Sequence, residues 1–293
     1  MPTDINDAQP REFTDSQLLK ELEAAAQENL DRHIAAADDW QAHDFVPWDS
    51  GRNFAFMGGE DWSAEQSQLS DVEALALTVS VLIADNMPSH HRELAQAFGL
   101  TGPWWTWVGR WTAEENRQSI VLRNYLVLTR AVDPVALERD RMEHMVRGFD
   151  LPPLHLADML AHSAFEEAAA AVRHRNTARL GSDPVVAAIT DRIAQDDELQ
   201  ATFYSNLVAA SLDIAPDQTV LAVASAIDSF EVPRVDLLDG SDSTARLAEA
   251  GIYDPARQNE DVFAPLLRDW KIAERTGLGA EAEKARQKLA ALI

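Results

Sequence analysis

The sequence predicts an all-α protein, and three observations support that fold class. Several segments carry apolar residues at three- and four-residue steps, and some of them exceed roughly 20 residues. The breaks between these segments are short and contain Gly, Pro or Asp. No series of strands with alternating apolar and polar residues is found. Long helices joined by short breaks indicate a helical bundle.

The predicted elements begin after residues 1–14, which are polar, lack periodicity and are expected to form a flexible N-terminal arm. Residues 15–293 are expected to form a single domain with about ten helices. The first helical pattern runs over Asp15–Trp40. The others cover Leu69–Phe98, Thr112 to about Arg130, a helix that opens at Asp133-Pro134 and ends before Asp150, Leu154–Leu180, Pro184 to about Leu212, and the stretches near 216–231, 242–250, 259–274 and 279–292.

Composition excludes several classes of function. The formal net charge of -24 argues against binding to nucleic acid or to an anionic membrane, which need a cationic surface. The chain has no cysteine, so disulfides, thiolate metal sites and thiol nucleophiles are excluded, and any metal needs His, carboxylate or amide ligands. The apolar run Ala74–Ala84 is shorter than the ~20 residues of a membrane span. With no signal-peptide pattern at the N-terminus, a cytoplasmic protein is expected.

One candidate site is the segment WTAEENRQ, which covers Trp111–Gln118. Thr112 and Glu115 have the spacing of a capping box at a helix start, the commoner meaning of an isolated Thr-x-x-Glu. Glu115 and Gln118 also lie three residues apart and share a helix face. That spacing equally suits half of a metal site whose last ligand, usually His, is Gln.

A second acid-x-x-Gln pair, Asp197 and Gln200, lies on a later predicted helix. Both residue types are common on solvated helix faces, so two such pairs are weak evidence alone. Asp85 and Glu167 lie in apolar helical segments, where burying an unpaired ion costs several kcal/mol. Asp85 is also a candidate helix-terminal residue before Pro88, and Glu166 is expected to be exposed to solvent.

Histidines near these acids offer no obvious carboxylate–His pair. None of them lies three or four residues from Asp85, Glu115, Glu167 or Asp197. A lone helical His is more often a structural hydrogen-bonding residue than a ligand. The histidines concerned are His90, His91, His162 and His174. Nucleophile-elbow, P-loop and dinucleotide motifs are absent from the sequence.

The segment WTAEENRQ resembles the WTAEENRH segment of soluble acyl-ACP desaturases, the plastid stearoyl desaturases and their mycobacterial relatives. Further segments resemble the family in the same order: DWQAHDFVP from Asp39, DNMPSHHREL from Asp85, FEEAAAAVRHRNTARL from Phe165 and DWKIAERTGLGAEAEKA from Asp269. The likeness spans nearly the whole chain and identifies it as a member of that family. It implies a ferritin-like helical bundle, usually a homodimer, with dinuclear iron in the core.

The resemblance also implies functional residues. In the family, two helices each supply a lone carboxylate and two each supply a carboxylate-x-x-His pair. Carried onto this chain, the metal ligands are Asp85, Glu115, Gln118, Glu167, Asp197 and Gln200. Trp40 and Asp196 lie where the family is thought to pass electrons to the iron. The chain departs from the family in having Gln for both His ligands and the shorter Asp at positions 85 and 197.

The two glutamines change the metal chemistry to be expected. Neutral Gln and neutral His carry the same charge, so four carboxylates would still balance two divalent cations. An amide oxygen is a harder and weaker donor than an imidazole nitrogen, so the site leans toward Mn, Mg or Ca over iron. Alternatively, the NH2 groups of Gln118 and Gln200 hydrogen-bond to the acids and stabilise a metal-free core.

Two functions follow from these observations. The first is an acyl-ACP desaturase-like oxidoreductase of fatty-acid metabolism, which uses O2 at an altered dinuclear site. Its partners would be acyl carrier protein or acyl-CoA and a ferredoxin-type electron donor. The second is a catalytically inactive desaturase paralogue that binds acyl chains or the carrier protein, or partners an active desaturase. Four acids converging without metal would repel, which favours the first. Candidate docking cations are Arg173–Arg179, Arg139 and Arg141.

Overall fold

The computed structural model describes residues 12–148, 154–231, 235, 237, 240 and 242–293. These residues form helices and no β-strand, which confirms the all-α prediction. The α-helices are α1 (Asp15–Glu21), α2 (Glu23–Ala36), α3 (Ala42–Phe45), α4 (Asp71–Ala84), α5 (Met87–Phe98), α6 (Gly102–Leu128), α7 (Pro134–Arg147), α8 (Leu156–Leu180), α9 (Pro184–Ile214), α10 (Pro216–Ser229), α11 (Ser243–Glu249), α12 (Pro255–Arg257), α13 (Ala264–Asp269) and α14 (Ala280–Ala290). A π-helical segment, Gln258–Phe263, joins α12 to α13.

Four long helices form the central bundle. Helix α4 packs on α6, α6 on α9, α9 on α8, and α8 on α4, so the contacts close a ring. The helices α8 and α9 form a long hairpin across a short turn. Asp183 caps the start of α9 by accepting from Val185 N at 2.7 Å. The side chain of Glu73 accepts from Ser182 N at 2.7 Å and thereby ties the first turn of α4 to this hairpin.

Aromatic side chains fill the core beside the bundle axis. Trp107 of α6 stacks on Phe203 of α9 with ring centroids 3.6 Å apart. Its indole Nε1 donates to the Tyr204 hydroxyl at 3.0 Å, so the polar edge of a wholly buried ring is satisfied. On the other side of α9, Trp270 donates through Nε1 to Ser205 Oγ at 3.0 Å. The contacts of Trp107 hold α6 and α9 in a fixed register.

The predicted start of α6 at Thr112 is wrong. The helix begins at Gly102, with Pro103 in its first turn, and Thr112 lies in its interior. Thr112 Oγ1 donates to Val108 O at 2.7 Å, so Thr112 and Glu115 form no capping box. The stripe of Trp104, Trp107 and Trp111 explains the longer helix, because these rings are buried at three- and four-residue steps.

Two other predicted helices are divided in the structure. The Asp15–Trp40 pattern is split at Leu22 and ends at Ala36. The Leu69–Phe98 pattern is split after Ala84, and Asp85 is the C-terminal cap residue of α4. Pro88 lies in the first turn of α5 and cannot supply an amide to a continuous helix. The interpretation of Asp85 as a helix-terminal residue is therefore confirmed.

The predicted flexible arm falls mostly on residues 1–11, which lie outside the described residues. Thr14 caps α1 by accepting from Gln17 N, and Phe13 N donates to Gln218 Oε1 at 3.0 Å. Residues 13 and 14 are therefore part of the packed domain. Across the described part of the chain, no helix is both long and apolar enough to span a membrane.

Candidate metal centre

Three carboxylates from three different helices meet in the bundle. Glu115 of α6, Glu167 of α8 and Asp197 of α9 each place an oxygen within 4.8 Å of the others. We call these three residues the inner cluster. Glu167 and Asp197 are buried, and Glu115 is partly so. The α8–α9 hairpin explains one pairing, because both residues lie the same distance in sequence from Ser182 in the turn.

An amide, an indole and an imidazole hold the inner cluster. Gln118 Nε2 donates to Glu115 Oε1 at 2.9 Å and to Asp197 Oδ1 at 3.0 Å. Trp111 Nε1 donates to Glu167 Oε1 at 2.7 Å. His174 Nδ1 lies 2.6 Å from Asp197 Oδ2, across the α8–α9 hairpin. No arginine or lysine forms an ion pair with these three acids among the described residues.

Burial raises the pKa of Glu115 well above its ordinary value, and the nearby charge of Asp197 adds to the effect. The pKa of Glu167 is likewise raised well above its ordinary value, first by burial and then by Glu115 and Asp197. Like charges in a poorly solvated site disfavour full ionisation. The inner cluster therefore holds protons, or needs a cation, at neutral pH.

Gln200 lies between the inner cluster and a neighbouring acid. It is wholly buried, and its Nε2 donates to Glu114 Oε2 at 3.2 Å. The same side chain hydrogen-bonds to Glu115. Its Oε1 is buried without a hydrogen-bond partner among the described residues. An unpaired buried amide oxygen is a vacant donor atom beside the carboxylates.

Asp85, the fourth carboxylate expected at the site, lies outside the inner cluster. Arg141 of α7 binds it through Nε to Oδ2 at 2.5 Å and through Nη2 to Oδ1 at 3.2 Å. Ser119 Oγ donates to Asp85 Oδ1 at 3.0 Å. The guanidinium of Arg141 therefore forms a two-point ion pair with Asp85. Arg141 is therefore a poor candidate for the carrier-docking cation that the sequence suggested.

The predicted electron-transfer pair is in contact. Trp40 Nε1 donates to Asp196 Oδ2 at 2.8 Å. Arg117 donates to the same carboxylate oxygen at 2.8 Å, and its guanidinium lies 4.3 Å from the centroid of the Trp40 ring. Arg192 Nη2 binds Asp196 Oδ1 at 2.6 Å. Burial raises the pKa of Asp196, against the hydrogen bond from Trp40 and the charges of both arginines.

Glu114 was not a candidate in the sequence, yet it is buried beside the site. His33 Nε2 lies 3.0 Å from Glu114 Oε2, and Arg110 Nε donates to Oε1 at 2.5 Å. Burial acts to raise the pKa of Glu114, but His33 and Arg110 hold it below its ordinary value. His33 is 81 residues away on α2. Only knowledge of the helix packing could have found this pair.

Glu166 is not the solvent-exposed residue that was expected. It is half-buried, with Oε1 3.2 Å from His162 Nε2 and Oε2 4.0 Å from His90 Nδ1. Burial acts to raise its pKa, but the charges of His162 and His90 lower it to about 2. His162 and Glu166 are four residues apart on α8, so helical spacing alone could have indicated this pair.

The residues present fit a divalent cation at the inner cluster but not the two-iron set of the resemblance. Three converging carboxylate oxygens and the unpaired Gln200 Oε1 are suitable donors. The fourth carboxylate is held by Arg141. Both positions that would supply imidazole are amides, and the His174 imidazole contacts a carboxylate.

Comparisons with known proteins agree with this architecture. The family model described as fatty acid desaturase matches residues 14–293. DesA1 of Mycobacterium tuberculosis, named as an acyl-[acyl-carrier-protein] desaturase, is 38% identical over 96% of this chain and 86% of its own. The chloroplastic stearoyl-[acyl-carrier-protein] 9-desaturase of Carthamus tinctorius is 30% identical over 92% of this chain and 72% of its own.

A solved structure shares the fold. The X-ray structure of the acyl-ACP desaturase homologue DesA2 from M. tuberculosis H37Rv superposes with a TM-score of 0.74 at 34% sequence identity. The match covers 92% of this chain and 98% of that one.

Proposed function

Because the chain belongs to the fatty acid desaturase family, we propose that it acts on an acyl chain carried as a thioester on acyl carrier protein and introduces a double bond. The match to the family model over residues 14–293 and the names of its relatives support the substrate class. The inner cluster carries the proposal, because three carboxylates that converge in a helical core have the donor chemistry of a metal centre.

Glu115, Glu167 and Asp197 would hold the metal, with Gln118 or Gln200 as an amide-oxygen ligand. The family expectation of dinuclear iron would need Asp85 as well. A redox-active metal there would supply the activation of dioxygen that oxidation of an unactivated CH2–CH2 pair requires. Trp111 and His174 orient Glu167 and Asp197 through hydrogen bonds at 2.7 and 2.6 Å.

Electrons would enter through Trp40 and Asp196, as the family resemblance implies. Asp196 is adjacent in sequence to Asp197, so the Trp40–Asp196 hydrogen bond ends one residue from the inner cluster. A cleft of about 620 Å³ lies at this end of the molecule between the Ile34–Ala42 segment and α6. Its lining includes Asp39, Gln41 and Arg117, which flank Trp40. We propose this cleft as the docking place of a ferredoxin-type donor.

A second candidate is an acyl-carrier-binding paralogue without oxidation chemistry. One observation favours it: the Gln118 NH2 group bridges Glu115 and Asp197 at hydrogen-bonding distances. An amide in that position gives each of these two acids a hydrogen-bond donor in the absence of a metal ion. Both candidates bind an acyl chain on its carrier, and they differ in whether the chain is oxidised.

The distinguishing experiment uses the full chain expressed with iron and manganese in the medium. Palmitoyl- and stearoyl-ACP are incubated with the protein, dioxygen and a reduced ferredoxin, and the acyl products are analysed by mass spectrometry. We expect a mono-unsaturated product that Glu115→Gln abolishes, whereas Glu143→Gln, on the exposed part of α7, leaves it unchanged. Acyl-ACP binding without any unsaturated product would establish the second candidate.

Restoring imidazole provides a further prediction. Gln118→His with Gln200→His should raise the iron(II) affinity at least ten-fold, because imidazole binds iron more strongly than an amide oxygen. Iron affinity is measured by anaerobic titration with a chromophoric chelator as competitor. An unchanged affinity in a folded double variant would show that positions 118 and 200 do not face the metal, so that the alignment to the family or the geometry of the core is wrong.

A further inference from the structure

We propose that the inner cluster is a site for one divalent cation, and that the ion pair between Arg141 and Asp85 excludes a second. This inference rests on the proposed function, since it takes the inner cluster as the metal centre. It departs from the family expectation in the number of ions and in the role of Asp85. It assigns Arg141, a residue of α7, the role of the missing second cation.

The first argument is the geometry of Arg141. Its guanidinium meets both oxygens of Asp85, and Ser119 supplies a further hydrogen bond to Oδ1. The Asp85 and Arg141 side chains are 7% and 18% exposed, so neither charge is well solvated. Glu138 also contacts Arg141, at 3.0 Å, and keeps it in place. Moving Asp85 onto a metal would leave a largely buried arginine without its main partner, which is strongly unfavourable.

The second argument is the contrast in partners. Asp85 has an arginine, whereas the three inner acids have an indole, an imidazole and amides. A cluster without an arginine or lysine ion pair keeps much of its negative charge uncompensated, and the compensation must come from protons or a cation. Gln200 Oε1, wholly buried and unpaired, adds an oxygen donor on an amide that already contacts Glu115. A half-turn of the Gln118 amide would likewise present its oxygen to Glu115 and Asp197.

The third argument is the charge of the surroundings. Arg173 lies on α8 with its guanidinium 5.7 Å from the centroid of the Tyr253 ring, and its Nη1 is buried without a hydrogen-bond partner among the described residues. Its charge acts on Asp197, Glu166 and Glu167. A single divalent ion would leave one negative charge on the three ionised inner carboxylates near Arg173. A second divalent ion would leave a net positive charge there, which the arginine repels.

The donor set indicates which ion is bound. Carboxylate and amide oxygens are hard donors, and a site built from them suits Mn²⁺ or Mg²⁺. Manganese is the better probe, because one isolated Mn²⁺ and two exchange-coupled Mn²⁺ ions give different electron paramagnetic resonance spectra.

In the test, the purified full chain is loaded with excess MnCl2 and free ion is removed by gel filtration. Manganese per chain is measured by mass spectrometry, and the bound ion is examined by electron paramagnetic resonance. We expect one Mn²⁺ per chain and the spectrum of an isolated ion. Two ions per chain, a coupled spectrum, or fewer than about 0.2 ions per chain would overturn the proposal.

Variants identify the ligands independently of stoichiometry. Asp197→Asn should weaken Mn²⁺ binding at least ten-fold, whereas Asp191→Asn, a matched control on the exposed side of α9, should leave it within two-fold. Asp85→Asn should also leave it within two-fold. The double variant Asp85→Asn with Arg141→Gln repeats this test without an unpaired arginine, and circular dichroism verifies folding. Ten-fold loss in both Asp85 variants would identify Asp85 as a ligand and contradict the proposal.

Failure of the single-ion proposal and failure of the proposed function give different combinations of metal content and product. A chain that binds one Mn²⁺ but yields no unsaturated product keeps the single-ion site and loses the desaturase assignment. A chain that yields product with two ions keeps the desaturase assignment and loses the single-ion site.

Discussion

On three helices of the bundle an inner-cluster acid directly follows another acid, and the two members of each such pair have different partners. The pairs are Glu114–Glu115 on α6, Glu166–Glu167 on α8 and Asp196–Asp197 on α9. The second member of each pair belongs to the inner cluster. The first member points elsewhere, and we call Glu114, Glu166 and Asp196 the outer acids. Successive residues of an α-helix point about 100° apart, which separates the two sets.

Each outer acid has an arginine or two histidines as partners, whereas in the described part of the chain the three inner acids share one histidine, His174 on Asp197, and no arginine or lysine. Arg110 and His33 bind Glu114, His162 and His90 lie beside Glu166, and Arg117 and Arg192 bind Asp196. The fold therefore supplies more basic partners to each outer acid than to the inner acid one residue away. The difference indicates that the inner acids are arranged for a charge from outside the chain, either a metal ion or protons.

The largest expected effect comes from removing an outer acid. Asp196→Asn keeps an acceptor for Trp40 but leaves Arg117 and Arg192 without their shared carboxylate. We expect the free energy of unfolding to fall by about 3 kcal/mol, at the low end for breaking a buried pair because Arg192 also pairs with Asp38. Urea unfolding of metal-free protein measures it. A loss below about 1 kcal/mol would mean that the outer acids are no better compensated than the inner ones.

Replacing an inner acid should stabilise the metal-free protein, which is the opposite of the effect expected for an outer acid. The pKa of Glu167 is raised by burial and then by the charges of Glu115 and Asp197, so its ionisation opposes folding above the unfolded-state pKa near 4.5. Stability of the metal-free protein should fall as pH rises through this region. Glu167→Gln removes the penalty and should raise Tm by about 2–4 °C at pH 8. Thermal unfolding across pH measures this, and the gain should shrink toward pH 4.5.

The smallest effect concerns the outer pair on α8. Burial acts to lower the pKa of His162, but Glu166 overcomes it and raises the pKa above the ordinary value. The contribution of this pair to stability is present below pH 6.5 and is lost as pH rises through the folded-state pKa of His162. In Glu166→Gln only the effect of burial remains, so the pKa of His162 should drop below 6.5. Histidine NMR titration measures the change, and an unchanged value would separate this acid from the other outer acids.

The sequence predicted the helices well where apolar periodicity is unbroken and less well at their ends. The start of α6 was placed at Thr112 because Thr112 and Glu115 have the spacing of a capping box. The Trp-rich stretch before them has a glycine on either side and was taken as a break between helices. Burial of Trp104, Trp107 and Trp111 overrides that local preference. The break at Asp85 was signalled by Pro88, and the long α8–α9 hairpin by the turn residues at 181–184.

The sequence could identify the acids of the site, but not the side chains that contact them. The family resemblance placed Glu115, Glu167 and Asp197 among the candidates, and the α8–α9 hairpin could have paired the last two. It could not show that Asp85 is bound by Arg141, because that contact joins residues 56 apart on helices that are not neighbours in sequence. His33 with Glu114 was missed for the same reason, whereas His174 and Asp197 lie on consecutive helices and were missed because their contact depends on how α8 packs on α9. Contacts between helices depend on packing that a single sequence does not specify.

The ion pair between Asp85 and Arg141 also bears on how readily this chain could change its chemistry over evolutionary time. Two substitutions, at Gln118 and Gln200, would return the histidines, but neither touches Arg141. A third change on α7 would be needed to release Asp85, and made alone it would leave that acid unpaired at the end of α4. A return to the family's set of metal ligands would therefore pass through a less stable variant of the protein, which makes that return harder.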